Sequence, residues 1–360
     1  MRFFLIALML LHGSFHVMGF LKAYGLANIH ELTQLISKPV GLVWLLISIL
    51  FITTGLLILL KIEWWSFVGL LTVILSQILI FFFWKDAKFG TIANIIILIA
   101  GLIGYGEFQF NRMVRSESQE ISRNLNLEHP NHIKIDDIRH LPTIVQKWLI
   151  SSGVLEKERV IAVRLSQKGE MKTSPGGKWM PFTAKQYFNC LDPSFVWHTR
   201  VRPLPLAFMD GRDKLVHGEG QMLIKLFSLI PVVNEGNNEK INAAIMQRFL
   251  AEICWLPTVA IYDYIEWIAM DENSVKAIFS TEGKMLSFET NRYYSGSEDA
   301  ALEKWLIEMV ENKEFNGTKV PYKCKITWKL KEGDFHWMNL EITDLEYNTP
   351  HIRIRQELLL

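Results

Sequence analysis

The sequence predicts a membrane protein of two parts: a bundle of four transmembrane α-helices, then an α+β soluble domain with a large, mostly antiparallel, curved sheet and covering helices. Two observations predict this two-part organisation, the distribution of charge and the alternation of apolar residues. Residues 1–110 hold ten of the 75 charged side chains, whereas residues 111–360 hold 65 and show strand-like alternation. We therefore expect a transmembrane region at 1–110, a connector at 111–137, the soluble domain at 138–350 and a tail at 351–360.

Four apolar runs define the predicted transmembrane helices. A helix needs about 20 apolar residues to cross the hydrocarbon of a bilayer, because its backbone polar groups must bond within the segment. Runs that meet or approach this length lie at 3–20, 40–60, 64–84 and 89–105. The first run could instead be a signal peptide, since Arg2 precedes it and Gly25-Leu26-Ala27 is similar to a cleavage site. That alternative leaves three spans.

The side of the membrane on which the soluble domain lies depends on the charges beside the spans. An even number of spans places both ends of the chain on one side. If that side is the cytoplasm, five positive groups face inward, and the opposite orientation places four there. The positive-inside rule thus slightly favours a cytoplasmic domain.

Polar side chains also occur within the apolar runs. His12 and His16 are four residues apart on one helical face, and Gln77 and Asn94 lie in the third and fourth runs. Ionisable groups in a membrane often mark a pathway or a binding site. The simpler interpretation is hydrogen bonding between helices.

Alternating apolar residues and glycine turns predict the sheet. Strands are expected at 160–167, 182–188 and 195–201, and hairpins pair 275–280 with 285–290 and 324–330 with 335–342. A short helix is expected between Pro142 and Gly153. A longer amphipathic helix is expected from about Lys240 to Cys254, ended by Pro257, and it should pack on a sheet face or fill a concave one.

Two groups of polar residues are weak candidates for catalysis. Arg248 and Glu252 lie four apart on the predicted helix, and Glu252 could act as a base or ligand at the rim of a pocket; the alternative is an ordinary helical ion pair. The segment from Met209 to Gly220 contains Asp210 and His217, which could contribute acid–base groups. A turn leading into a strand at Asp210-Gly211 is the simpler interpretation.

Eight of the twelve tryptophans lie in the soluble domain. Such side chains either fill the core of a large sheet or line an apolar pocket. If a pocket exists, the candidates to line it are Trp179, Trp197, Trp255 and Trp328.

The string RFLAEICWLPTVAI from Arg248 resembles a bacterial family of unknown function with the pattern R-x-L-A-E-x-x-W-x-P-T. The earlier SQKGEMKTSPGGKWMPFTAKQYF and FVWHTRV and the later VPYKCKITW are similar to the same family, over roughly 141–348. This resemblance implies a bacterial plasma membrane but no activity or catalytic residue. The domain also loosely resembles lipoprotein-sorting carriers, which implies a curved antiparallel sheet covered by helices around an apolar cavity.

Composition and missing motifs restrict the function. A net charge of +1 argues against nucleic acid as a partner. The three cysteines are too far apart for a metal or redox pair, and no motif indicates a cofactor or metal. We expect a domain that binds a lipid or other apolar small molecule without catalysis. The alternatives are a structural or sensory protein that docks a partner, and an enzyme of unrecorded type centred on Glu252.

Overall fold

The computed structural model describes residues 2–123, 125–127, 131–268, 275–294 and 300–349. The chain divides into two compact units, one formed mainly by residues up to Arg112 and one beginning at Met113. The predicted tail at 351–360 lies outside the described residues.

The first unit is helical, and its long helices coincide with the predicted apolar runs. They are α1 (Arg2–Ala23), α2 (Lys38–Leu59), α3 (Trp65–Phe82) and α5 (Gly90–Ser122), with the short helix α4 (Trp84–Ala87) before the last. All four long helices have the length and composition to cross a membrane. The prediction of four long apolar helices is confirmed. Helix α5 is longer than its apolar run, because the polar sequence that follows continues the same helix.

Glycines allow α1 and α2 to pack closely. A Cβ atom added at Gly19 would lie 2.1 Å from the Trp44 ring, and one added at Gly41 would lie 2.4 Å from the Cβ of Ala23. Small residues at helix contacts serve this purpose in membranes, where the hydrophobic effect does not drive helices together.

The polar side chains of this unit bond to one another across three helices. His12 Nε2 lies 3.0 Å from Asn94 Oδ1, and His16 Nε2 lies 2.9 Å from Ser76 Oγ. Asn94 also donates to Gln77 Oε1 over 3.0 Å. These contacts agree with the interpretation as interhelical hydrogen bonding.

Among its described residues the second unit holds, besides its strands and the end of α5, the helices α6 (Ile135–Ile138), α7 (Thr143–Ser151) and α8 (Glu239–Glu252). Asn238 caps α8, because its side chain accepts a hydrogen bond from the Ile241 amide over 2.9 Å. The predicted helix extends to Cys254, but the α-helix ends at Glu252. Two 3₁₀ turns follow it, at Ile253–Trp255 and Pro257–Ile261.

The strands in the described ranges form one sheet of eleven. They are β1 (Ala162–Met171), β2 (Met180–Asn189), β3 (Ser194–Leu204), β4 (Ala207–Val216), β5 (Glu219–Leu226), β6 (Ile230–Gly236), β7 (Lys276–Phe279), β8 (Met285–Tyr293), β9 (Leu302–Phe315), β10 (Thr318–Leu330) and β11 (Gly333–Tyr347).

The order across the sheet is β6-β5-β4-β3-β2-β1-β11-β10-β9-β8-β7. Every neighbouring pair is antiparallel, including the central pair β1 and β11, where Val163 lies opposite Tyr347. The prediction of a large antiparallel sheet is confirmed. Each arm of the sheet is a meander of consecutive strands, and the two arms meet at β1 and β11.

One predicted turn is wrong. Asp210 and Gly211 lie inside β4, opposite Arg200 and Thr199 of β3, and the chain turns at His217 and Gly218 instead. The buried carboxylate of Asp210 binds Arg200, which makes an internal strand position favourable for a residue that usually marks turns.

The sheet curves around α8. This helix contacts β4 and β5 in one arm and β8 in the other. Six strands separate β4 from β8 in the order above. In a flat sheet with a spacing of roughly 4.8 Å these two strands would lie about 34 Å apart, whereas a helix with its side chains is only about 10–12 Å wide. The two arms must therefore bend towards each other, with α8 in the concavity.

The core of the β-rich unit lies between α8 and the concave face. Phe249 of α8 is fully buried and contacts Phe188 of β2, with ring centres 6.2 Å apart. Ile245 of α8 packs against Gly220 of β5. The predicted packing of the amphipathic helix on a sheet face is thus observed.

Candidate functional site

A cluster of buried charges lies where α8 crosses the concave face. Its members are Asp213 on β4, Arg248 and Glu252 on α8, and Arg292 on β8. Asp213, Glu252 and Arg292 are each less than one-tenth exposed. Two acids and two bases in an apolar core form a neutral group, which reduces the cost of removing them from water.

Arg248 occupies the centre of this cluster. Its Nη1 donates to Asp213 Oδ2 over 2.5 Å, and its Nε donates to Glu252 Oε1 over 2.7 Å. The guanidinium also lies over the ring of Trp197, 4.4 Å from its centre. One arginine therefore joins its own helix to β4 and β3.

Glu252 is bonded through both carboxylate oxygens. Oε1 accepts from Arg248, and Oε2 accepts from Gln186 Nε2 of β2 over 2.6 Å. Burial raises the pKa of Glu252 and of Asp213, and the positive charge of Arg248 opposes this in both. The arrangement holds Glu252 in place rather than presenting it to a substrate.

Arg292 has a different environment. Its Nε donates to the backbone carbonyl of Ala244 on α8 over 3.0 Å. The guanidinium carbon lies 4.5 Å from the ring centre of Trp305 and 5.8 Å from that of Trp328. Within the described part of the chain, its two terminal nitrogens have no hydrogen-bond acceptor. Burial and the neighbouring Arg248 lower the pKa of Arg292 to about 10, so the group stays charged at neutral pH.

The other two polar candidates lie elsewhere. Asp210 is buried and accepts hydrogen bonds from Arg200 over 2.8 and 2.7 Å. His217 lies in the β4–β5 turn with 80% of its side chain exposed, and its Nδ1 is 3.1 Å from Asp192. Of the four candidates, the structure brings together only Arg248 and Glu252.

The four candidate tryptophans do not lie at one site either. Trp197 and Trp328 flank the charged cluster through Arg248 and Arg292. Trp255 lies elsewhere in the core, where its Nε1 donates to the Pro321 carbonyl over 2.9 Å. Trp179 is half-buried beside Lys172, outside the cluster.

Asp213, Arg292 and Trp305 complete the cluster, although the sequence does not single them out. Arg292 is separated by 40 or more residues from Arg248 and Glu252 in the chain. No local motif could have indicated its position, because only the pairing of β8 with β9 and the curvature around α8 bring these groups together.

A separate surface cleft of about 300 Å³ lies beside α6. It is lined by Asn131, His132, Ile133, Asp137, His140, Arg159 and Ile261. This lining is largely polar, so the cleft does not suit an apolar ligand. Across the described ranges, no three His, Cys, Asp or Glu side chains are grouped as metal ligands.

Fold and site together define a protein with four long apolar helices and an antiparallel sheet domain curved around one helix. Residues 139–347 match a family of unknown function (DUF6920). Since this match spans more than half of the 360 residues, the chain belongs to that family. No curated protein matches the sequence.

Solved structures show only a loose likeness. A domain assigned to an outer membrane lipoprotein-sorting protein of Vibrio parahaemolyticus is 9% identical, with a TM-score of 0.30 over 52% of this chain and 86% of that one. A LolA superfamily protein of Nitrosomonas europaea is 8% identical, with a TM-score of 0.26 over 59% and 95%. A DUF1329 family protein of Desulfovibrio piger is 13% identical, with a TM-score of 0.29 over 66% and 94%. At these TM-scores the likeness carries no inference about function.

Proposed function

We propose that the protein is an integral membrane protein whose β-rich domain binds a lipid or another apolar ligand without transforming it. The observation that carries the proposal is the concave face around α8. Trp197, Trp305 and Trp328 lie on it beside two arginines. All three rings are buried, and aromatic side chains with a few polar groups among them are typical of the lining of sites for apolar molecules.

Exposed apolar side chains on the long helices support membrane insertion. Leu71, Ile74, Ile78 and Phe81 follow one face of α3 at spacings of three and four residues, and each is about half exposed or more. Such a stripe is unfavourable in water, whereas lipid tails would cover it. We propose that the membrane is a bacterial plasma membrane and that the domain lies on the cytoplasmic side, which the charges beside the spans slightly favour.

The bonding of the buried acids supports a role without catalysis. General acid–base chemistry needs a carboxylate that reaches the substrate. In Glu252 both oxygens are held by Arg248 and Gln186, and Asp213 is held by Arg248. These contacts argue against the alternative of an enzyme centred on Glu252.

A partly exposed ring lies next to the aromatic face at the end of β8. Tyr294 is 40% exposed, and its ring meets that of Trp328 edge-on at 5.0 Å. Trp328 in turn lies beside Arg292. A ligand that separates Tyr294 from Trp328 would reach the concave face without crossing the sheet.

Native mass spectrometry of the full chain in detergent tests this function. We expect the wild-type protein and the Trp179→Leu control to retain a lipid-sized mass, whereas Trp328→Leu loses it. Lipids bound around the helices would be retained by all three proteins. If Trp328→Leu retains every bound mass that the wild type shows, or if the wild-type protein has no bound mass, the proposal is contradicted.

Partner docking is the second candidate, because apolar side chains are exposed at one end of the sheet. The β3–β4 and β5–β6 turns share this end, where Leu204, Leu206, Ile230 and Val232 are each more than half exposed. Photo-crosslinking from Leu206 in cells would test it. A single protein crosslinked at this position and not at the exposed Leu191 would favour docking.

A further inference from the structure

We propose that Arg292 and the indole of Trp305 recognise the acid group of an amphiphilic ligand, a carboxylate or a phosphate joined to an acyl chain. This inference rests on the proposed function and adds the chemical class of the ligand.

Both side chains present hydrogen-bond donors that have no acceptor among the described residues. Arg292 is 8% exposed, and only its Nε donates to a described residue. The Nε1 of Trp305 is buried and likewise has no partner in the described ranges. Buried donors are normally bonded, so the unbonded indole N–H of Trp305 beside the guanidinium of Arg292 offers a donor to the acid group of a ligand.

The comparison with Arg248 shows what Arg292 lacks. Arg248 has a carboxylate on each side, Asp213 and Glu252, and both approach within 2.7 Å. The carboxylates of Asp213 and Glu252 attract Arg292 only at a distance, and Arg248 repels it. A buried charge without a direct counterion is costly. The charge of Arg292 balances the second carboxylate of the cluster only at a distance, and a ligand anion would bond to it directly.

The chemistry of the donors and the walls selects the ligand class. A guanidinium binds a carboxylate or phosphate through two parallel hydrogen bonds, which favours a planar or tetrahedral anion over a neutral group. The rings of Trp305 and Trp328 flank the guanidinium. These apolar faces lead to the exposed ring of Tyr294 and suit an acyl chain.

Photo-crosslinking of the full chain in lipid nanodiscs tests the inference. The probes are hexadecanoic acid, hexadecan-1-ol and phosphatidic acid, each with a diazirine in the acyl chain. The label is quantified on peptides from β8, β9 and β10, so that probe dissolved around the helices is counted separately. We expect an acid probe to label these peptides about tenfold more than the alcohol, since hydrogen bonds between charged groups are roughly twice as strong as neutral ones.

Three variants locate the effect. Arg292→Met should reduce labelling by the acid to the level of the alcohol, and the exposed Arg139→Met serves as a matched control that should not. Trp305→Phe keeps the ring, loses the indole donor and should reduce labelling by a few fold. If Arg292→Met does not fold, as judged by thermal denaturation, Trp305→Phe still tests the inference.

The outcomes separate this inference from the proposed function. Equal labelling by acid and alcohol in the wild-type protein, or labelling by acid that survives Arg292→Met and Trp305→Phe, would overturn the inference and leave lipid binding intact. Labelling of the helices alone by every probe would overturn both. Stronger labelling by hexadecanoic acid or by phosphatidic acid supports the inference and identifies the source of the acid group.

Discussion

Arg248 joins helix α8 to strand β4 through a hydrogen bond of 2.5 Å to Asp213. The same side chain binds Glu252 within the helix. One arginine thus binds two buried acids and fixes the covering helix to one arm of the sheet.

Removal of this arginine should strongly destabilise the domain. Arg248→Met leaves two buried carboxylates without their counterion, and we expect a loss of about 3–5 kcal/mol in the free energy of unfolding. Thermal denaturation of the full chain in detergent measures the change. The exposed pair of Arg139 and Asp136 provides the control, since Arg139→Met should cost about 0–1 kcal/mol. Equal stability of the two variants would show that the buried cluster contributes little.

The contact between α8 and β5 should not tolerate a larger residue at Gly220. A Cβ atom there would lie 2.8 Å from the Ile241 carbonyl and 2.9 Å from the Cβ of Ile245, both on α8. Gly220→Ala should therefore displace the helix and cost about 1–3 kcal/mol. Gly176→Ala is the control, because no atom lies within 4 Å of its added Cβ. Chemical denaturation that gives both variants wild-type stability would contradict the close packing.

Asp210 should make stability depend on pH. Burial by itself raises the pKa of this carboxyl, but hydrogen bonds from Arg200 and His198 outweigh it and hold the pKa well below the usual 3.8. A lowered pKa in the folded state stabilises the fold above pH 3.8, and this stabilisation is lost as the pH falls through that value and below.

Asp210→Asn should accordingly be less stable than the wild type by about 1–3 kcal/mol near pH 7, and the difference should shrink towards about pH 3. Urea denaturation at both pH values measures this. Asp334→Asn, which alters an exposed ion pair with Lys329, should change stability little at either pH. A difference for Asp210→Asn that is constant with pH would contradict the assignment.

The four long helices should keep the protein in the membrane. We expect the full chain to stay in the membrane pellet during alkaline carbonate extraction and to be released by detergent, because its exposed apolar stripes need a lipid-like solvent. Immunoblotting of pellet and supernatant is the measurement. Appearance of the chain in the carbonate supernatant would show that the helices do not span the bilayer.

The helices were predictable because their signals are local. Long uncharged runs predicted α1, α2, α3 and α5, and the repeat of apolar residues together with Pro257 predicted α8. The end of α5 could not be read from hydropathy, since its last turns are polar and continue the helix beyond the apolar run.

The strands were predictable only where glycine turns or apolar alternation marked them. The strand β9, with the sequence LEKWLIEMVENKEF, has many charged residues because its outward positions face water, so apolar alternation marks it only weakly. In β4 a pair typical of a turn, Asp210-Gly211, lies inside the strand. These two strands are stabilised by pairing with neighbouring strands of the sheet, which local sequence patterns do not reveal.

Two of the four charged residues in the buried cluster were predictable from the sequence. Arg248 and Glu252 stood out because they lie four apart on a strong helix, and the structure holds them together. Arg292 carries no such signal, since its partners Trp305 and Ala244 come from other elements of the sheet and the helix. A residue whose importance comes from tertiary contacts cannot be singled out by spacing.

The central pairing of β1 with β11 has a consequence for biosynthesis. Val163 can pair with β11 only after Tyr347, 184 positions further along the chain, has been synthesised. The two meanders cannot join before then. Until a ribosome has delivered almost the whole domain, each half presents an open edge that could pair with a neighbouring nascent chain. Translation that stops within β11 would leave these strand edges unpaired and the truncated product prone to aggregation.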